Sequence, residues 1–139
     1  MNTASLSRMV ACAGLLAITA CKKSTVAEGP VNVGGFLTSG TWHVARFESA
    51  GVDTSAAFSS YALTFAPSGT VTAGDSTASA SGSWGAGLAD GVSKVSILFN
   101  AGTNVSALNA DWNVLNASET GVELADTSYG GRLLLLERN

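Results

Sequence analysis

The stretch Tyr61-Ala62-Leu63-Thr64-Phe65-Ala66-Pro67-Ser68-Gly69-Thr70-Val71-Thr72-Ala73 decides the fold. Tyr61, Leu63 and Phe65 alternate with small or polar neighbours, the period-two pattern of a half-buried strand. Ala66-Pro67-Ser68-Gly69 reads as a tight turn, because proline presets φ and glycine tolerates the positive φ that closes it. Thr70–Ala73 then resumes the alternation, so the stretch is a hairpin.

Reading outward, the same signature recurs. Thr41–Phe47 places Trp42 and Val44 on one face, and Ala80–Trp84 forms a further run. Lys94–Asn100 aligns Val95, Ile97 and Phe99, while Asp111–Ala117 aligns Trp112 and Val114. Gly121–Ala125 aligns Val122 and Leu124, and Arg132–Arg138 holds four consecutive leucines. Eight short strands joined by hairpin-length turns predict an all-β meander, either a closed barrel or a sandwich. No connection holds a crossover helix, which excludes a βαβ fold. One helical turn is expected near Asp53–Ser60, capped by Asp53 or Thr54 with Phe58 inward. Leu108–Ala110 has room for another. Gly85-Ala86-Gly87 reads as a loop. Trp42-His43-Val44 and Trp112-Asn113-Val114 share a spacing without matching flanks, as two strands with a similar packing need.

Upstream, Met1–Ser7 carry no acid, Arg8 is the single charge, and an apolar run extends from Met9 to Ala20. That run is too short for a bilayer, which takes about 20 residues, and it has the layout of a secretory signal. It ends Ile18-Thr19-Ala20-Cys21, followed by Lys22-Lys23. Gly29-Pro30 and Gly34-Gly35 break any periodicity after it, so this segment reads as a tether. Val31, Val33, Phe36 and Leu37 are apolar enough to pack on the domain. The organisation is therefore a signal peptide at 1–20, a tether at 21–39 and a β domain at 40–139.

Of the 139 residues, 46% are hydrophobic and only 12% charged, which excludes a disordered chain and a coiled coil. The net charge of −3, with no basic run, argues against nucleic acid as a partner. Between 40 and 139 the bases are Arg46, Lys94, Arg132 and Arg138; the more numerous acids leave the β domain mildly acidic, and hydroxyl side chains cover much of the rest.

The segment Ile18-Thr19-Ala20-Cys21 resembles the lipobox of bacterial lipoproteins. That resemblance implies diacylglycerol on the Cys21 thiol and cleavage that leaves Cys21 as residue one. Cys12 would leave with the signal peptide, so no disulfide is expected. Lys22, where inner-membrane retention would call for Asp, implies the outer membrane, and the missing acidic export run favours its periplasmic face. Several acyl chains are needed for stable anchoring.

Gly40-Thr41-Trp42 and the late Arg138 look like the lipocalin arrangement, in which a Gly-x-Trp opens strand one and a basic side chain stacks across that Trp at the barrel base. More closely, the chain is similar to the small lipocalin-like domains of bacterial lipoproteins. The residues that carry this are Trp42-x-Val44, Phe65–Gly69, Gly82-Ser83-Trp84, Trp112-x-Val114 and Leu133–Arg138. The resemblance implies an eight-stranded antiparallel up-and-down barrel with one or two short helical turns. The domain is shorter than ordinary lipocalins and lacks their disulfides.

Little in the sequence points to chemistry. His43 alternates with Trp42 and Val44 and so faces solvent or a covering loop, and no second His or free Cys can join it in a metal site. No G-x-S-x-G is present. Asp53, Asp75, Asp90, Asp111 and Asp126 read as turn acids, and Glu119 and Glu123 form no catalytic pair. No enzyme, metal or cofactor is expected. Tyr61, Phe65, Trp84, Phe99 and Trp112 fall on inward faces. They either fill the barrel or line a pocket for one small hydrophobic ligand, since an eight-stranded interior is just wide enough for either. The first function expected is thus a membrane-anchored, monomeric lipocalin-like module binding such a ligand. The alternative is an envelope adaptor or protease-inhibitor-like barrel acting through its outer surface.

Overall fold

The structure, a computed structural model, describes residues 32–139. It begins with a short helix α1 (Val33–Leu37), followed by β1 (Trp42–Ser49) and a two-residue strand β2 (Val52–Asp53). Then come β3 (Ala62–Phe65), β4 (Thr70–Gly74), β5 (Ser79–Ala89), β6 (Val92–Phe99), β7 (Ala110–Ala117), β8 (Gly121–Asp126) and β9 (Arg132–Arg138). Single 3₁₀ turns occupy Ser55–Phe58, Asn104–Leu108 and Ser128–Gly130.

From β3 onward each strand pairs antiparallel with the next, and β9 returns to β1 from Trp42↔Arg138 to Ser49↔Arg132. A single pair, Trp42↔Leu63, joins β1 to β3, and β2 is a short flap folded back on β1. The result is a closed eight-stranded antiparallel barrel, one of the two meanders the alternation allowed and the one the resemblance implied. Closure also answers the edge problem, because nearly every strand has a partner on both sides.

Most inward positions are those the alternation assigned, with Tyr61, Trp84 and Val114 only partly buried against the core. Trp42, Val44, Leu63, Phe65, Val95, Ile97, Phe99, Trp112, Val122 and Leu124 are all buried. Of the four leucines, Leu134 and Leu136 point inward. The turn at Ser55–Phe58 buries Phe58 against Phe47 at 5.2 Å, edge to face. Its N-cap is Thr54, while Asp53 accepts from the Ser55 backbone N–H at 2.8 Å.

Two local expectations need correction. Gly85-Ala86-Gly87 is not a loop: β5 runs through it, with Gly85↔Ser96, Ala86↔Val95 and Gly87↔Lys94 paired to β6. Small residues give no alternation to read, but their backbone groups pair as well as any. The second short turn lies at Asn104–Leu108 rather than Leu108–Ala110, because Val105 and Leu108 are both drawn into the core. The described end of the tether packs on the domain, as its apolar residues suggested. Helix α1 buries Val33 and Leu37, and Asn32 caps it by accepting from Gly35 N–H at 3.0 Å.

One glycine has no substitute. A methyl on Gly82 would overlap the Leu98 carbonyl oxygen and stand 2.6 Å from the Phe99 Cα. At this point the β5 backbone lies so close to β6 that only a residue without Cβ fits.

Candidate functional site

The barrel has a base, where β1 begins and β9 ends, and an opposite rim, where β1 ends and β9 begins. Each is closed by the same device. At the base, Trp42 is fully buried and its indole N–H donates to the Leu37 carbonyl of α1 at 3.0 Å. Arg138 lies over the ring, 5.2 Å from its centroid, and donates to the Phe36 carbonyl at 3.3 Å. Its Nε is buried without a hydrogen-bond acceptor among the described residues, so the ring face supplies the compensating attraction. Gly40 sits at φ +89°, and the Arg138 stem passes 3.5 Å from where its Cβ would be. This accounts physically for the Gly-x-Trp opening. The φ requires glycine, and the missing side chain leaves room for the arginine.

At the rim, Trp112 is also fully buried and donates to the Leu108 carbonyl of the 3₁₀ turn at 2.9 Å. Arg132 lies over its ring at 5.1 Å. The guanidinium also reaches the Ala107 and Asn109 carbonyls and pairs with Asp126 through Nε at 3.1 Å and Nη2 at 2.5 Å. Burial pushes the Asp126 carboxyl up. Hydrogen bonds from Arg132 and Ser128, helped by the Arg132 charge, more than offset this and hold it below the usual carboxylate range. The shared Trp-x-Val spacing thus reflects a shared packing need, as the sequence suggested.

The sequence missed Arg132. The signal was available: Arg132, Leu134, Leu136 and Arg138 share one parity of β9, which puts an arginine at each end of the inward face. Asn109 was also missed. It accepts from Phe99 N–H at 2.6 Å and donates to the Phe99 carbonyl at 3.1 Å, imitating a strand partner where β6 ends.

The residues proposed to line a ligand pocket are not brought to one place. Phe65, Phe99 and Trp112 are buried in the packed core. Trp84 is half-buried, edge-on to Phe65 at 5.3 Å, with its indole N–H on the Ala66 carbonyl at 2.9 Å. Tyr61 is half-buried near the rim, where its hydroxyl accepts from Asn104 at 3.4 Å. Phe47 fills the interior between Phe58 and Trp112.

The surface depressions lie outside this core. One of ≈ 780 Å³ runs along the outer wall past Ser81, Ser83, Leu98 and Asn109. A second of ≈ 460 Å³ continues it over Ser96 and Asp111. Outward side chains on β5 are so small that the wall is shallowly concave, and Leu98 stands 62% exposed within it.

No constellation for catalysis appears among the described residues. His43 is part-exposed, with Nδ1 2.7 Å from the Asn139 side-chain oxygen and Nε2 3.7 Å from Glu137. Asp53 and Asp75 are turn acids held below the usual carboxylate range, Asp53 by the Ser55 hydroxyl and backbone N–H, Asp75 by the Thr77 and Ala78 backbone N–H groups. No group of three or more His, Cys, Asp or Glu among the described residues is arranged to hold a metal ion. No described helix is long and apolar enough to cross a membrane. Cys21 lies outside the described residues.

Fold and site together define a closed antiparallel barrel filled with side chains and latched at both ends. Comparison with solved structures finds the same fold in the crystal structure of a DUF4847 family protein from Bacteroides vulgatus. The TM-score is 0.57 at 20% identity, over 78% of this chain and 98% of that one. At that identity the likeness is one of fold. No family model matches the chain, and no curated protein matches it.

Proposed function

We propose that this chain is a bacterial lipoprotein whose barrel is solid and which works through its outside, as an envelope adaptor or inhibitor-like module. The observation that carries this reading is the placement of the aromatic residues. Trp42, Phe65, Phe99 and Trp112 fill the interior, while the concave surface lies on the outer wall of β5, β6 and β7. A small hydrophobic ligand, the occupant first expected from the sequence, would have to displace Trp112, Phe47 or Phe58 to enter at the rim. Each such displacement gives up about 1.5–3 kcal/mol of burial, against a comparable gain for a ligand of similar size.

In this reading the Cys21 thioether carries the acyl chains, the mature chain is a monomer on the periplasmic face of the outer membrane, and it has no catalytic role or cofactor. The lipobox supports the anchor. A photo-reactive residue in place of Leu98 tests the surface role in living cells. The expected result is a discrete adduct with an envelope protein. An adduct with a small molecule, or none at all, would remove the adaptor reading.

A further inference from the structure

We infer that the hairpin formed by the end of β5 and the start of β6 dips into the lipid interface beside the acyl anchor. This inference rests on the lipoprotein reading for its anchor and goes beyond it by naming a protein surface that touches lipid. The hairpin stands apart from the barrel. β4 accompanies β5 only as far as Ser83, so from Trp84 to Ala89 the strand pairs with β6 alone. On the other side, pairing of β6 with β7 begins at Lys94, leaving Val92 and Ser93 paired only to β5. Asp90 and Gly91, at φ +54° and +77°, close the tip as a two-residue turn.

Its apolar residues are exposed on both faces. Leu88, in register with Ser93, is 55% exposed on the face continuous with Trp84 and Ala86. Val92, opposite Ala89, is 42% exposed on the other. Leu115, the extra residue of the bulge in neighbouring β7, is 57% exposed. A soluble hairpin tip gains nothing from apolar side chains on both faces, whereas a tip that enters lipid needs them.

The position of the N-terminus selects the bilayer as occupant. The described chain begins at Asn32, and Asn32, Val33 and Gly34 share a depression of ≈ 260 Å³ with Gly87, Leu88 and Ser93. Gly34 comes so close that its Cβ would lie 3.5 Å from the Ala86 methyl. The connection from Cys21 to Asn32 spans at most roughly 40 Å when fully extended. An acylated Cys21 therefore joins the membrane to this end of the barrel, which makes the hairpin the nearest exposed apolar element to the lipid. Asp90 is in the tip, Glu119 is in the β7–β8 turn and Glu137 is near the end of β9, all toward the same end, where Lys94 and Arg138 supply bases and Lys22-Lys23 follow the anchoring Cys21 in the sequence. Charges of both signs meet at this end, so the apolar side chains of the tip, rather than a net charge, carry its affinity for lipid.

The test uses the full chain purified from its envelope and reconstituted in vesicles of phosphatidylethanolamine and phosphatidylcholine. Leu88→Trp puts a reporter on the hairpin, and Val52→Trp puts one on exposed β2 at the rim. Each is read against the wild-type emission of the three native tryptophans. Lipids brominated along the acyl chain are expected to quench the added emission of L88W and spare that of V52W, with acrylamide in solution doing the reverse. Equal acrylamide access at both positions would overturn the inference. So would a reporter at 88 that is already shielded without vesicles in a concentration-dependent way, since a second copy would then be the occupant. Intact mass of the same sample reports acylation separately. If Cys21 proves unmodified, the lipoprotein reading fails on its own, and bromine quenching of L88W on added vesicles still decides the hairpin.

Discussion

Replacing Trp42 by Ala tests the latch on which the base of the barrel depends. The side chain is fully buried, so truncation loses its transfer free energy and leaves a cavity, together about 3–5 kcal/mol. Within that figure lie the hydrogen bond to the Leu37 carbonyl, worth about 1 kcal/mol, and the attraction of the Arg138 guanidinium, roughly 1–2 kcal/mol when desolvated. A domain of this kind has about 5–15 kcal/mol in all, so W42A should forfeit about a third or more of it in a typical case. Trp42→Phe is the gentler probe. It keeps most of the volume, removes the indole N–H and should cost about 1–3 kcal/mol. Urea denaturation followed by far-UV circular dichroism gives both numbers, provided m is unchanged. Combining Trp42→Phe with Arg138→Gln should reveal a coupling of about 1 kcal/mol. The same Trp42→Phe with Arg132→Gln should be additive, because those residues lie at opposite ends of β1 and β9. A loss below about 1 kcal/mol for W42A, or equal coupling to both arginines, would refute the latch.

Two further outcomes follow from particular contacts and a third from the lipobox resemblance. Gly82→Ala should cost more than about 2 kcal/mol or abolish folding, since its methyl meets backbone, whereas Gly87→Ala, with open space around it, should stay within about 0.5 kcal/mol in the same denaturation series. Asp126→Asn should destabilise by about 1.5–3 kcal/mol at neutral pH, because it removes the charged acceptor of Arg132 while the Ala107 and Asn109 carbonyls and the Trp112 ring still hold the guanidinium. The folded-state pKa of Asp126 is depressed, so its contribution is fully present above the usual carboxylate pKa of about 4 and disappears as pH falls through the lower folded value; thermal melts of both proteins should therefore converge in acid, and a gap that persisted or widened there would contradict the assignment. Cys21→Ser should abolish incorporation of labelled palmitate in cells, while Cys12→Ser leaves it unchanged; label retained without Cys21 would contradict the anchor.

How far the fold was legible depended on side-chain contrast. Strands such as Lys94–Asn100, where Val95, Ile97 and Phe99 alternate with polar neighbours, declared both their existence and their inward face. The second half of β5 did not, because Gly85, Ala86 and Gly87 carry almost no hydrophobic signal and owe their pairing to backbone groups alone. Helix α1 was hidden for a related reason. Val33-Gly34-Gly35-Phe36-Leu37 has poor helix propensity and forms only because Val33 and Leu37 reach the base of the core. The base latch was visible through Gly40, Trp42 and Arg138. Its counterpart at the rim needed the observation that Arg132 shares parity with Arg138. That Trp84 and Tyr61 stand at different places, and so do not join Phe65, Phe99 and Trp112 around one cavity, follows from barrel closure and register. Alternation along single strands does not encode those.

Mass spectrometry of the protein purified from its native envelope, run first under native and then under denaturing conditions, tests the central claim most directly. A solid, lipid-held barrel predicts one monomeric species, a chain beginning at acylated Cys21, whose mass is the same in both spectra. A stoichiometric small molecule that is present in the native spectrum and lost on denaturation would contradict the packed interior. A chain that retains residues 1–20 or carries no acyl group would contradict the anchor.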